Sequence, residues 1–143
     1  MRLRVQRLDP AATMPTIAHA GDAGFDLYAI EATTLEPGAR AAIRTGIAIE
    51  VSHGHAALVL PRSGLAAKHG ISVVNAPGLI DSGYRGEVQV LLLNTDREMP
   101  FEVKPGDRIA QLVLIRVESP AVEEAETLTA TPRGEGGFGS SGR

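Results

Sequence analysis

The pattern that most constrains this chain is a succession of short, strand-like runs, each closed by a turn that contains proline or glycine. Apolar and polar residues alternate through 2–8 and 25–30, and aliphatic residues dominate 42–51, 87–94 and 108–117. Alternation with a period of two is typical of half-buried strands, and no helical periodicity extends beyond two turns. The sequence therefore predicts an all-β sandwich or barrel without an internal repeat or a second domain.

The composition argues against several classes of function. The 143 residues suit one domain, and no apolar run approaches the roughly 18 residues that a membrane span needs. A formal net charge of -3 argues against a nucleic-acid partner, although a few clustered arginines could still bind a small anion. The absence of cysteine excludes disulfides and thiolate nucleophiles. The N-terminus has no apolar signal core, so a cytoplasmic protein with no membrane contact is expected.

The stretch 75–87 concentrates chemically useful side chains between turn residues. Pro77-Gly78 and Ser82-Gly83 are turn signals, and Leu79-Ile80 between them is predicted to be a short strand of a hairpin. Asp81 would then leave a strand at the edge of a turn, where side chains often reach ligands. The alternative is that this carboxylate only caps the turn.

One helix of barely two turns is predicted in the middle of the chain. Ser63 is a good helix N-cap and Gly70 is a natural stop. The start of this helix, with Arg62 beside it, has the components of an anion site, although a capped surface helix would look the same.

Two polar residues stand inside predicted strands. Asp26 is disfavoured in a strand, so it lies either on a wet face or in a functional site. Gln111 must be paired if it is buried, and structure or function could equally require it. By contrast, the His53 and His55 pair lacks the carboxylate or cysteine neighbours that a metal site would need.

Residues 129–143 form a glycine-rich tail that cannot build a core, since glycine loses the most entropy on ordering. A disordered tail is the simplest interpretation. An isolated Phe138 among glycines also fits a lid that stacks on a flat ligand, with Arg133 binding the charge of that ligand.

Five segments resemble, in order, the five motifs of trimeric deoxyuridine triphosphate nucleotidohydrolases (dUTPases). These segments are 22–27, 61–66, 75–87, 106–112 and 133–142, and they span nearly the whole chain. The resemblance implies a jelly-roll-like β-barrel with one very short helix, assembled as a homotrimer with shared active sites. It also implies a barrel domain over 1–128 and a flexible tail over 129–143 that closes over the active site.

The resemblance further implies the reaction and the residues that perform it. Water would attack the α-phosphorus of dUTP with Mg²⁺ as cofactor, and the products would be dUMP and pyrophosphate. Such an activity keeps uracil out of DNA and supplies dUMP for thymidylate synthesis. Asp81 would be the general base, and Asp26 would hold hydrated Mg²⁺ through water. The implied substrate-binding residues are Arg62, Ser63, Gly64 and Gln111 at the phosphates, Asn75, Leu79, Ile80, Asp81 and Gln89 at uracil, Tyr84 at the deoxyribose, and Arg133, Phe138 and Gly139 in the tail.

Two rival interpretations come from other classes of function. Deoxycytidine triphosphate deaminases share this fold, but they are generally longer and lack the arrangement of Asp81 and Tyr84 together with a Gly-Phe tail. A non-catalytic, nucleotide-responsive interaction module is the second rival, and the intact catalytic positions argue against it.

Overall fold

The structure is a computed structural model, and it describes residues 3–137. Within this part of the chain the elements are β1 (Arg4–Arg7), β2 (Gly24–Tyr28), β3 (Thr33–Leu35), β4 (Arg40–Glu50), β5 (His55–Leu60), α1 (Ser63–His69), β6 (Ile71–Val73), β7 (Gly78–Ile80), β8 (Glu87–Asn94), β9 (Phe101–Val103) and β10 (Arg108–Arg116). No helix among these residues has the length and apolarity that crossing a membrane requires.

The strands form two four-stranded antiparallel sheets and a two-stranded ribbon. The first sheet has the order β1-β4-β8-β6, the second has the order β2-β10-β5-β7, and β3 pairs with β9. Side chains from all three meet in one core, in which Ile43 and Val90 come from the first sheet, Ala57 and Leu112 from the second, and Leu35 from the ribbon. The predicted all-β, jelly-roll-like architecture with one very short helix is confirmed.

The stretch 75–87 does not form the predicted hairpin. Strand β7 pairs with β5, whereas β8 pairs with β4 and β6 in the other sheet. The connection over 81–86 is longer than the roughly 2–5 residues of common hairpin loops, and it carries the chain from one sheet to the other. Gly78 is also the first residue of β7 rather than part of a turn. The stretch therefore bridges the two layers of the fold.

The predicted role of Ser63 as helix N-cap is wrong, because Ser63 is already the first residue of α1. Arg62 occupies the cap position with an extended backbone, and its side chain makes no capping hydrogen bond. Its guanidinium instead donates to the carbonyl oxygen of Arg108 at 2.9 Å, which ties the start of the helix to β10. Gly70 ends the helix in the left-handed conformation, as predicted.

Strand β4 is continuous through Gly46, but its pairing with β8 is interrupted at this residue. The pairing of β4 with β8 shifts register between Arg44 and Ala48, and Gly46 has a φ of 68°. The Gly46 N–H donates to Glu87 Oε1 at 2.8 Å, and the Arg44 guanidinium donates to Glu87 Oε2 at 3.2 Å. The Gly46 carbonyl oxygen accepts from the Leu8 N–H at 2.8 Å. Glu87 therefore holds a β-bulge in place from the first residue of the neighbouring strand.

Gly46→Ala is expected to lower the free energy of unfolding by about 2–4 kcal/mol, because it combines left-handed strain with a steric clash. A Cβ at this position would lie 2.9 Å from Ala12 Cβ and 3.0 Å from Asp9 Cβ. Gly54 has a similar φ of 74° but nothing within 4 Å of the added Cβ, so Gly54→Ala is the matched control with a loss of about 1 kcal/mol. Urea denaturation measures both. Equal losses would show that the clash at Gly46 contributes nothing.

Candidate active site

A cavity of about 250 Å³ opens between the edge strand β7 and strand β8 of the other sheet. Six of its lining residues are those that the sequence assigned to uracil, the sugar and the general base. These are Asn75, Leu79, Ile80, Asp81, Tyr84 and Gln89. The structure thus brings this predicted set together in one pocket, which we call the 75–89 pocket.

Strand β7 contributes main-chain groups as well as side chains to the 75–89 pocket. It lies at the edge of its sheet, with β5 on one side and no other described strand on the opposite side. N–H and C=O groups on a free strand edge can bind an extended or planar partner. The Asn75 amide packs against β7 where Gly78 has no side chain, since a Cβ there would lie 3.3 Å from Asn75 Nδ2. Main-chain and amide groups therefore line one wall of the pocket.

The loop over 81–86 carries Asp81 and Tyr84 and is fixed by its own hydrogen bonds. The Tyr84 N–H donates to the Asp81 carbonyl oxygen at 3.1 Å. The Arg85 guanidinium donates to the carbonyl oxygens of Ser82 at 2.7 Å and Tyr84 at 2.8 Å. The Tyr84 hydroxyl donates to the Glu87 carbonyl oxygen at 3.0 Å. Asp81 is exposed at the mouth of the pocket, where its carboxylate can contact water.

A second group of residues surrounds Asp26 on the same sheet. Asp26 is only 3% exposed, so it does not lie on a wet face. Its Oδ2 accepts from the Arg108 guanidinium at 3.3 Å. The Arg62 Nε lies 3.3 Å from Oδ1 but is not aligned to donate, and this buried oxygen has no hydrogen-bond partner among the described residues. We call Asp26, Arg62 and Arg108 the Asp26 cluster.

The remaining residues assigned to the phosphates lie beside the Asp26 cluster. Gln111 is directly opposite Asp26 in the pairing of β10 with β2. Its side chain packs over Gly24, where a Cβ would lie 3.4 Å from Gln111 Cδ. Ser63 and Gly64 are exposed in the first turn of α1, immediately after Arg62.

Arg108 and Glu87 belong to these sites, but the sequence did not identify them as site residues. Each stands inside a segment that carries the family resemblance, and that position is the only signal the sequence offers. Their contacts depend on cross-strand register, which places Arg108 beside Asp26 and Glu87 beside the bulge at Gly46.

The Asp26 cluster fits a Mg²⁺ ion that is held mainly by substrate. Mg²⁺ usually binds one or two carboxylates together with phosphates and keeps several of its waters. No group of three or more His, Cys, Asp or Glu side chains within 3–137 could hold an ion. Asp26 Oδ1 is paired in charge with Arg62 but accepts no hydrogen bond among the described residues, so it could accept one from a metal-bound water.

The 75–89 pocket and Asp26 lie at opposite edges of the second sheet, because β7 and β2 are its two outer strands. Ile80 pairs with Ala57 on β5, whereas Gln111 pairs with Leu60 near the other end of that strand. The two outer strands are three strand spacings apart, which at about 4.8 Å each is roughly 14 Å across the sheet. The described part of a single chain therefore does not unite the two sets.

The tail residues stand apart from both sets. Arg133 is exposed, and its guanidinium donates to the Gly136 carbonyl oxygen in its own turn at 2.7 Å. Arg133 neither lines the 75–89 pocket nor takes part in the ion pairs of Asp26. Phe138 and Gly139, which the sequence assigned to the lid, lie outside the described residues.

Comparison with curated proteins reveals relatives that match nearly the whole chain. A dUTPase family model matches residues 10–142. The chain is 56% identical over 142 residues to the deoxyuridine 5'-triphosphate nucleotidohydrolase of Thermobifida fusca, covering 99% of this chain and 79% of the relative. It is 54% identical over 132 residues to the enzyme of the same description from Leifsonia xyli, covering 92% of this chain and 87% of the relative.

The solved structures that resemble this fold are dUTPases as well. A mutant dUTPase of Staphylococcus bacteriophage 80alpha, solved with dUpNHpp, has a TM-score of 0.94 at 30% identity and covers 99% of each chain. A mutant dUTPase from phage phi11 of S. aureus, solved to show the coordination of a structural Mg(II) ion, has a TM-score of 0.84 at 26% identity, over 91% of this chain and 100% of that one. The relatives are nucleotide hydrolases. The chain belongs to their family, the dUTPases, as the five segments predicted.

Proposed function

We propose that this protein hydrolyses dUTP to dUMP and pyrophosphate in the presence of Mg²⁺, which keeps uracil out of DNA and supplies dUMP for thymidylate synthesis. The observation that carries the proposal is the 75–89 pocket. It joins a free strand edge, an exposed carboxylate at Asp81 and the ring of Tyr84 within one cavity. Membership of the dUTPase family gives this pocket its substrate.

Uracil is recognised by the edge of β7 around Leu79 and Ile80, with the amides of Asn75 and Gln89 nearby. Uracil and cytosine present reversed donors and acceptors at the same ring positions. A main-chain N–H cannot exchange roles with a C=O, so cytosine would leave buried groups unpaired. Each such mismatch costs about 1–3 kcal/mol, which is enough to favour uracil strongly. The ring of Tyr84 packs beneath the deoxyribose and leaves no room for a 2′-hydroxyl.

Asp81 acts as the general base. Its carboxylate takes a proton from water while the water oxygen bonds to the α-phosphorus and the bond from that phosphorus to the pyrophosphate oxygen breaks. Arg62, Ser63, Gly64 and Gln111 bind the phosphates and balance the charge that develops on the leaving group. When bound through Asp26 and water, Mg²⁺ supplies further positive charge at the phosphates.

The working assembly is a homotrimer with shared active sites. The separation of the 75–89 pocket from the Asp26 cluster supports this, because a nucleotide bound in the pocket of one copy needs the phosphate-binding residues of another copy. Apolar side chains beside the pocket are also exposed in the single chain, among them Val74 at 45%, Leu79 at 61% and Leu91 at 38%. Contact with a second copy would cover such side chains.

Residues 129–143 form a separate tail that closes over the bound nucleotide, beyond a barrel domain over 1–128. In this arrangement Arg133 binds the γ-phosphate, while Phe138 and Gly139 complete the lid. Two features support a tail that lies outside the barrel, since the last strand within 3–137 ends at Arg116 and residues 118–135 are exposed throughout. The cytoplasm remains the compartment predicted from the sequence, and cell fractionation would test it.

Parallel assays of pyrophosphate release from dUTP, dTTP, dCTP and UTP with Mg²⁺ test the proposed function. We expect kcat/KM for dUTP to exceed that for each of the others by about 100-fold or more, because the pocket reads both base and sugar. Conversion of dCTP to dUTP with dUTP left intact would identify a deaminase instead. Binding of dUTP without turnover would favour a non-catalytic interaction module.

A further inference from the structure

We propose that Gly86 is a specificity-determining residue, because its missing side chain is what allows Tyr84 to occupy the position that excludes ribonucleotides. The inference rests on the proposed role of Tyr84 beneath the deoxyribose. It adds the neighbour that sets the position of the ring.

The Tyr84 ring lies directly over the backbone of Gly86. A Cβ on Gly86 would be 2.6 Å from Tyr84 Cζ and 3.0 Å from Tyr84 Cε2, and it would also contact the hydroxyl oxygen. These are its three nearest atoms, and all belong to the tyrosine side chain. Gly86 does not adopt a positive φ, so backbone freedom is not the reason for glycine here. The requirement is steric.

The ring is also held at its far end. The Tyr84 hydroxyl donates to the Glu87 carbonyl oxygen at 3.0 Å, so the side chain folds back across Gly86 to reach it. Glu87 itself cannot follow a displaced ring, because it pairs with Ala48 on β4 and its side chain binds the bulge at Gly46. An added methyl group at Gly86 therefore breaks the bond between the hydroxyl and the carbonyl.

A displaced Tyr84 is free to swing outward, since the residue is 46% exposed. The space beneath the sugar then opens and the 2′-hydroxyl of UTP is accepted. Gly86→Ala should consequently lower the preference for dUTP over UTP while the base-reading edge of β7 stays intact.

The same loop offers a matched control at Gly83. This glycine also has no positive φ, and a Cβ there would meet nothing within 4 Å. Gly83→Ala should leave both activity and sugar preference unchanged, since it changes composition and chain entropy in the same loop without touching Tyr84.

The experiment compares kcat/KM for dUTP and UTP in the wild type, Gly86→Ala, Gly83→Ala, Tyr84→Ala and the double variant Tyr84→Ala/Gly86→Ala. We expect Gly86→Ala to reduce the ratio of kcat/KM for dUTP to kcat/KM for UTP by about tenfold. In the Tyr84→Ala background the same substitution should cause no further change, because the side chain with which it clashes is absent.

The outcomes separate this inference from the function on which it rests. A wild type that does not prefer dUTP over UTP would overturn the proposed sugar recognition and this inference with it. If the wild type prefers dUTP and Gly86→Ala has the same ratio of kcat/KM for dUTP over UTP, the inference alone is overturned. If Gly86→Ala does not fold, thermal unfolding of the double variant tests the clash instead. A double variant that folds supports a clash between the added methyl group and Tyr84. A double variant that also fails to fold contradicts it.

Discussion

Asp81→Asn is expected to lower kcat for dUTP by about 10²- to 10⁴-fold and to leave nucleotide affinity within a few-fold of wild type. Asparagine keeps the size of the side chain and can still accept a hydrogen bond, but it cannot take a proton from water at neutral pH. The 75–89 pocket and its main-chain edge would be unchanged. Pyrophosphate release measures kcat, and calorimetric titration with dUpNHpp measures affinity.

The control is Glu36→Gln, the same exchange of an exposed carboxylate for an amide, in a turn that does not line the 75–89 pocket. It should retain wild-type turnover. If Asp81→Asn also turned over dUTP at the wild-type rate, the assignment of Asp81 as general base would be wrong.

Truncation before Arg133 is expected to reduce kcat by about 10²- to 10³-fold and to leave the trimer intact. The truncated protein loses the residues proposed to bind the γ-phosphate and cover the nucleotide. It keeps the core, because no described residue beyond Leu114 packs in the core cluster. Steady-state assays give the rate, and analytical ultracentrifugation gives the oligomeric state.

A single substitution distinguishes the charge that Arg133 contributes from the covering of the nucleotide by the tail. Arg133→Ala should cause part of the loss seen on truncation, whereas Arg97→Ala, an exposed arginine in the turn after β8, should cause none. Normal hydrolysis by the truncated protein would exclude a lid. Dissociation of the truncated protein into monomers would instead show that the tail holds the assembly together.

The sequence predicted the long strands well, because several periods of alternation fit within them. Strand β8 begins and ends where the pattern predicted, and β10 ends one residue earlier than expected. The strands β3, β6 and β9 were not identified, since three residues contain less than two periods of alternation; β7 is equally short and was predicted only because turn signals flank it. The pairing of β7 was wrong for a related reason. Which strand pairs with β7 depends on the arrangement of all the strands, and local turn signals carry no information about that arrangement.

The candidate site also has a part that could be predicted from the sequence and a part that could not. Asn75, Tyr84 and Gln89 could be assigned to one pocket because the segment 75–89 is nearly contiguous in sequence. The burial of Asp26 and its ion pair with Arg108 depend on the register between β2 and β10, two strands 82 positions apart at these residues. Short-range patterns do not encode such a register.

Glu87 contributes both to the stability of the fold and to the proposed recognition of the sugar. Its side chain holds the bulge at Gly46, and its main-chain carbonyl oxygen accepts the hydroxyl of Tyr84. A change that shifts this residue to improve heat resistance would also move the anchor of the ring that we assign to sugar recognition. Efforts to raise the thermal stability of an enzyme of this kind should therefore leave the start of β8 unchanged.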